Sequence, residues 1–186
     1  MKNIAILSIA GLAAAATAQS VTLHFDIDGD PLGGSDVVAD SASWTVYASF
    51  TGYSDPTAYF GGFVGSFDAT GDGVASNLQA LMAGEGTPAS ANGASVESVN
   101  IFNSALLQTN DASNPIAIFS FDTTGTTSEL SYSATGLASV FPNSGIFSLP
   151  DEYTSVNIIS DRLVIPAPGA AAVLGLGGLV ATRRRR

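Results

Sequence analysis

The chain has 186 residues, a net charge of −10, no cysteine and one histidine. That inventory excludes disulfides, thiol catalysis, Cys-ligated metals and His-rich zinc or copper sites. All 16 acidic residues lie within residues 19–165, where Arg162 is the lone Lys or Arg, so this body carries −15; it is expected to be repelled by nucleic acid and anionic lipid, and the charge reads first as a means of staying soluble, with attraction of calcium or basic partners as the alternative.

Met1-Lys2-Asn3 opens the chain as a basic segment, Ile4 to Ala16 is apolar, and Ala16-Thr17-Ala18 is a small-x-small site. This is a secretory signal peptide over residues 1–18, cut by signal peptidase to leave Gln19 as the new amino terminus.

Residues 19–165 form one acidic domain dominated by period-two alternation. Val21, Leu23, Phe25 and Ile27 share one strand face, with Thr22, His24, Asp26 and Asp28 on the other, so His24 is expected to be exposed. Trp44, Val46, Ala48 and Phe50 repeat the pattern. Tyr59 to Phe67 reads as an aromatic strand whose glycines mark bulges or close backbone approach. Val74, Leu78, Leu81 and Met82 hint at a helical turn. Further strands are predicted at 96–103, 116–122, 128–134, 137–141 and 156–165, separated by turn-rich stretches such as Asp28 to Gly34. The expected class is all-β, an antiparallel β-sandwich of jelly-roll or cohesin-like outline, flanked by a signal helix and a C-terminal hydrophobic helix.

Chemistry-bearing constellations are sparse. Asp26-Ile-Asp28-Gly-Asp30 spaces carboxylates as the start of a calcium loop does, but Pro31 takes the glycine position and Val37 the bidentate glutamate position. Asp68, Thr70 and Asp72 form a second fragment that ends at Gln79. Both also read as strands running into polar turns, so Ca²⁺ stays open as a ligand and no other cofactor is expected. No Gly-x-Ser-x-Gly elbow accompanies His24, and the glycines of Gly61 to Gly65 fall inside a strand rather than in a phosphate loop. A glycosidase needs only two carboxylates, but no pair stands out. The aromatic residues Trp44, Tyr47, Tyr53, Tyr59, Phe60 and Phe63 are assigned mainly to the core, with an exposed sugar-stacking strip as the alternative.

The last segment, residues 166–186, has three parts: Pro166-Ala167-Pro168, an apolar run from Gly169 to Thr182, and Arg183, Arg184, Arg185 and Arg186. As a helix the apolar run rises roughly 21 Å, short of the about 30 Å of bilayer hydrocarbon. The arginines hold the end on the cytoplasmic side, and the Ala- and Gly-rich composition suits temporary residence next to another membrane helix.

This tail resembles the PEP-CTERM sorting signal of Gram-negative exoproteins, a class also catalogued as an ice-binding-protein C-terminal domain. Ala167 stands where that family carries Glu, and the remainder of "PAPGAAAVLGLGGLVATRRRR" fits. The resemblance implies processing by an exosortase at the membrane and delivery to the cell surface or an extracellular polysaccharide matrix. The expected function is a non-enzymatic surface or matrix protein. A carbohydrate-binding module of that matrix is the alternative, and a carboxylate-based glycoside hydrolase ranks behind both.

Overall fold

The computed structural model describes residues 18–82, 84–103, 114–125, 129–144 and 148–166, and all regular structure among them is β-strand. The two flanking helices expected from the sequence lie outside the described residues. Alternation does set the first sheet. β1 (Ser20–Asp26) buries Val21, Leu23 and Phe25, and β3 (Ser41–Thr51) buries Trp44, Val46, Ala48 and Phe50. The two strands pair antiparallel, with Leu23 opposite Ala48 and Phe25 opposite Val46. β9 (Ile116–Gly125), β5 (Gly73–Ala80) and β13 (Asn157–Ser160) complete a five-stranded sheet ordered β13-β1-β3-β9-β5.

The facing sheet is built on β4 (Tyr59–Ala69), which lies between β8 (Ser95–Phe102) and β11 (Tyr132–Phe141). β12 (Asp151–Tyr153) and β6 (Gly84–Glu85) close its two ends, and β7 (Ser90–Asn92) forms a hairpin with β8. A third, three-stranded sheet pairs β14 (Arg162–Val164) with β10 (Glu129–Leu130) and β2 (Asp36–Val38). The result is a β-sandwich, as expected, but of mixed strand direction. β13 runs parallel to β1, and β14 runs parallel to β2, because the chain's last strands return beside its first.

Phenylalanine fills the space between the sheets. Phe67 of β4 meets Phe25 edge-on at 5.2 Å, Phe119 at 5.6 Å and stacks on Phe63 at 5.5 Å. All four are almost fully buried, and each contributes about 1.5–3 kcal/mol of transfer free energy relative to an exposed ring. Trp44 packs edge-on against Tyr132 and donates its indole N–H to Thr123 Oγ1 at 2.8 Å, while Tyr132 donates its hydroxyl to the Ala94 carbonyl at 2.7 Å. The polar tips of these two buried rings are therefore satisfied.

Two expectations change here. Residues 74–82 are not helical: Gly73–Ala80 is strand, and a bulge between Ser76 and Gln79 breaks its alternation into a spacing that mimics a helix. The predicted strand over 156–165 is two short strands divided at Asp161, whereas 132–141 is a single strand continuing through Gly136. The glycines of β4 do mark close approach. Gly65 lies opposite Gly136; a Cβ on Gly65 would stand 2.2 Å from the Thr135 carbonyl oxygen, and one on Gly136 2.3 Å from that of Val64.

Candidate functional site

Of the processing positions, the described residues include Ala18, Gln19 and Pro166, and all three are exposed. β1 begins just after them at Ser20, and β14 ends just before Pro166 at Val164. Ala16, Ala167, Pro168, Gly169 and Arg183 to Arg186 lie outside the described residues. Among those described, no helix is long and apolar enough to cross a membrane.

The acidic loop after β1 has a geometry that its sequence spacing does not give. Asp26, Asp28 and Asp161 bring one carboxylate oxygen each to within 4.8 Å of one another. Asp30, the third member of the sequence motif, is not in the group. Asp161 arrives instead from the β13–β14 junction, held there because its own N–H donates to the Phe25 carbonyl at 2.8 Å. It is 1% exposed and clamps the loop at both ends: Oδ2 accepts the Ile27 N–H at 2.7 Å and Oδ1 the Ser35 N–H at 2.6 Å. Asp26, 5% exposed, accepts the Gly29 N–H at 3.1 Å, with Gly29 at φ 90° turning the chain. Asp28 accepts the Asp30 N–H at 3.0 Å.

Electrostatics separates these carboxyls. Burial, followed by the neighbouring Asp161 charge, pushes Asp26 above the usual carboxylate range. Asp28 is exposed, and the Asp30 N–H and then the Ser35 hydroxyl hold it below that range. The donor chemistry is that of a hard cation, and Asp26, Asp28 and Asp161 are the residues that could hold Ca²⁺. They provide three of the six to eight oxygens that ion takes, and both buried members already serve backbone N–H groups. Solvent barely reaches the two buried acids, Asp26 and Asp161.

His24 is not exposed. It is 4% accessible, because β1 is an interior strand and the loop after it brings the Pro31 backbone to the imidazole. Nε2 hydrogen-bonds Ser49 Oγ at 2.8 Å, and Nδ1 has no partner at hydrogen-bonding geometry. Burial lowers its pKa, and the Pro31 backbone only partly offsets this. Trp44, Tyr59, Phe60 and Phe63 are core, as assigned, with Tyr47 and Tyr53 half-buried. Asp68 accepts from Ser66 and Thr135 on the neighbouring strand and belongs to no acidic cluster among the described residues. Sequence reasoning missed the Tyr53 hydroxyl, which donates to Asp151 at 2.9 Å and meets the Tyr153 hydroxyl, tying the loop after β3 to β12. It also missed Asp161, whose signal was faint: an acid beside Arg162 inside an otherwise uncharged strand pattern.

No family model matches the chain, and no curated protein matches it in sequence. Among solved structures it is similar to the seventh ScaB type I cohesin of Pseudobacteroides cellulosolvens, with a TM-score of 0.48 and 10% identity over 80% of this chain and 93% of that one. It is also similar to the sixth cohesin of Acetivibrio cellulolyticus scaffoldin B, solved with a mutant Cel5 dockerin, at TM-score 0.46 and 10% identity over 81% of this chain and 100% of that one. A non-cellulosomal cohesin of Archaeoglobus fulgidus follows at TM-score 0.34 and 12% identity, over 85% of this chain and 98% of that one. The dockerin is a partner of that cohesin.

Proposed function

We propose that the chain is an exported, non-enzymatic protein of the cell surface or extracellular matrix, sorted through its C-terminal tail by an exosortase. The observation that carries this reading is the pair of terminal signals, residues 1–18 and 166–186, bracketing a body of opposite charge character. Its physical plausibility rests on the junctions. Ala18, Gln19 and Pro166 are exposed, and the strands begin at Ser20 and end at Val164. Cutting at either junction removes no strand and opens no core. Signal peptidase releases the amino terminus, and the tail lodges in the inner membrane while the acidic body is outside, until exosortase removes it.

Intact mass spectrometry of the protein from its host tests this directly. The expected product begins at Gln19 and ends near Pro166, and deletion of the exosortase leaves the tail attached and the protein in the membrane fraction. A mass and location unchanged by that deletion would overturn the proposal.

A further inference from the structure

The outer face of the five-stranded sheet carries the polar half of each alternating strand, and across β3, β9 and β5 it is hollowed into a cleft of about 410 Å³. That is within the usual range for small-ligand sites, about 300–1,000 Å³. The hollow comes from the bulge in β5. Ser76 pairs with Asp122 and Gln79 with Ser120, so Asn77 and Leu78 occupy the space opposite one residue. Asn77 takes the left-handed φ of 52°, uncommon outside glycine. The bulge turns its side-chain amide onto Asp122, donating to Oδ2 at 2.6 Å, while the Ser43 hydroxyl donates to Oδ1 at 2.6 Å. Bulges re-aim side chains in this way beside functional sites. The two donors hold Asp122 ionised, below the usual carboxylate range.

The lining selects a ligand chemistry. Ser43, Thr45 and Ser120 offer hydroxyls and Asn77 and Gln79 offer amides, groups that both donate and accept. A ligand matching that density of two-way hydrogen bonding is polyhydroxylated. Apolar ligands find little purchase, since Trp44 and Phe121, which form part of the floor, are each 1% exposed. Phosphates and uronates meet Asp122 and a body of charge −15. A peptide adding as a strand at the β5 edge is obstructed where the Ala75 N–H is taken by the Gly93 carbonyl at 2.7 Å.

We propose that this cleft binds an uncharged glycan, with Asp122, Asn77 and Gln79 engaging neighbouring hydroxyls. The proposal gives the matrix reading above a ligand class and rests on that reading for the choice of polymer.

Isothermal titration calorimetry of the full-length protein tests it. The probes are unbranched hexasaccharides of glucose, galactose, mannose and N-acetylglucosamine, with hexagalacturonate and hexalysine as charged comparators. At least one neutral hexasaccharide is expected to bind more tightly than hexagalacturonate, while hexalysine, drawn to the acidic body as a whole, should bind Asn77→Gly as it binds the parent. Asp122→Ala and Asn77→Gly, the latter keeping the left-handed backbone, should each weaken binding about tenfold or more, the loss of a hydrogen bond to the ligand. Ser133→Ala, exposed on β11 of the other sheet, should bind as the parent does. Gln79→Ala, also exposed, reads the same cleft if Asp122→Ala fails to fold. No binding by any neutral probe, tighter binding of hexagalacturonate, hexalysine affinity that falls with Asn77→Gly, or neutral-probe affinity unmoved by the cleft variants would overturn the assignment. Because sorting is read from the masses of the chain ends, either proposal can fail while the other stands.

Discussion

His24 and Asp26 stand two residues apart on the same face of β1, both nearly sealed from solvent, and burial moves their ionisation in directions that oppose each other in stability. Asp26 is raised above its ordinary value near 3.8, first by burial and then by Asp161. Between that value and its folded pKa the native state binds the proton more fully, so its contribution is complete below 3.8 and is lost as pH rises through the folded pKa. His24 is lowered from 6.5 by burial, so its contribution is complete above 6.5 and is lost as pH falls through its folded pKa. The two single variants separate the limbs. Asp26→Asn keeps an acceptor for Gly29 and should gain stability relative to the parent as pH rises from about 4 to 7. His24→Gln should show less loss than the parent below 6.5. Urea midpoints across this range, with a chelator present to keep divalent cations off the carboxylates, decide the matter. Curves that run parallel for parent and variants would rule the account out.

At the scale of the strand, inner faces were legible and interruptions were not. Val21, Leu23 and Phe25, or Trp44, Val46 and Ala48, announce their faces because period two puts every second side chain in the core. The bulge at Asn77 hides from that rule, since one extra residue shifts the phase of all that follow. His24 hides for a different reason: alternation tells which side a residue faces, not whether a loop folds back over that side. Asp161 is far from Asp26 in sequence, and only the parallel pairing of β13 with β1 brings it to the loop. The glycines of β4 were legible as marks of close approach, but their partner Gly136 was not, because it lies on β11 and fell in a predicted break between strands. Gly136→Ala drives a Cβ to 2.3 Å from the Val64 carbonyl oxygen, backbone that cannot yield as a side chain can. It should cost about 3 kcal/mol. Gly33→Ala meets nothing nearer than the Asp30 carboxylate, at 3.3 Å, and should stay within about 0.5 kcal/mol. Equal melting temperatures for these two variants would refute the argument from close approach.

For the whole molecule the deciding quantity is charge. Arg162 is the lone Lys or Arg of residues 19–165, and it is already committed, bridging Asp36 at 2.6 Å and Glu129 at 3.2 Å across the small third sheet. Exposed pairs of this kind contribute about 0.2–1 kcal/mol each, which cannot offset the mutual repulsion of the remaining carboxylates. A body at −15 is thus held by its aromatic core against its own field. Unfolding spreads that charge over a larger volume, so repulsion favours the open chain. Salt shortens the reach of the field to about 10 Å at 0.1 M and 3 Å at 1 M, while leaving the Phe67 cluster unaffected by screening. The melting temperature should therefore climb with sodium chloride, by about 2–4 °C for every kcal/mol of repulsion removed, and most steeply at low ionic strength. Scanning calorimetry from low salt to about 0.5 M reads this. A melting temperature that falls over the same range would mean that the Arg162 bridges outweigh the net charge, and would overturn the account.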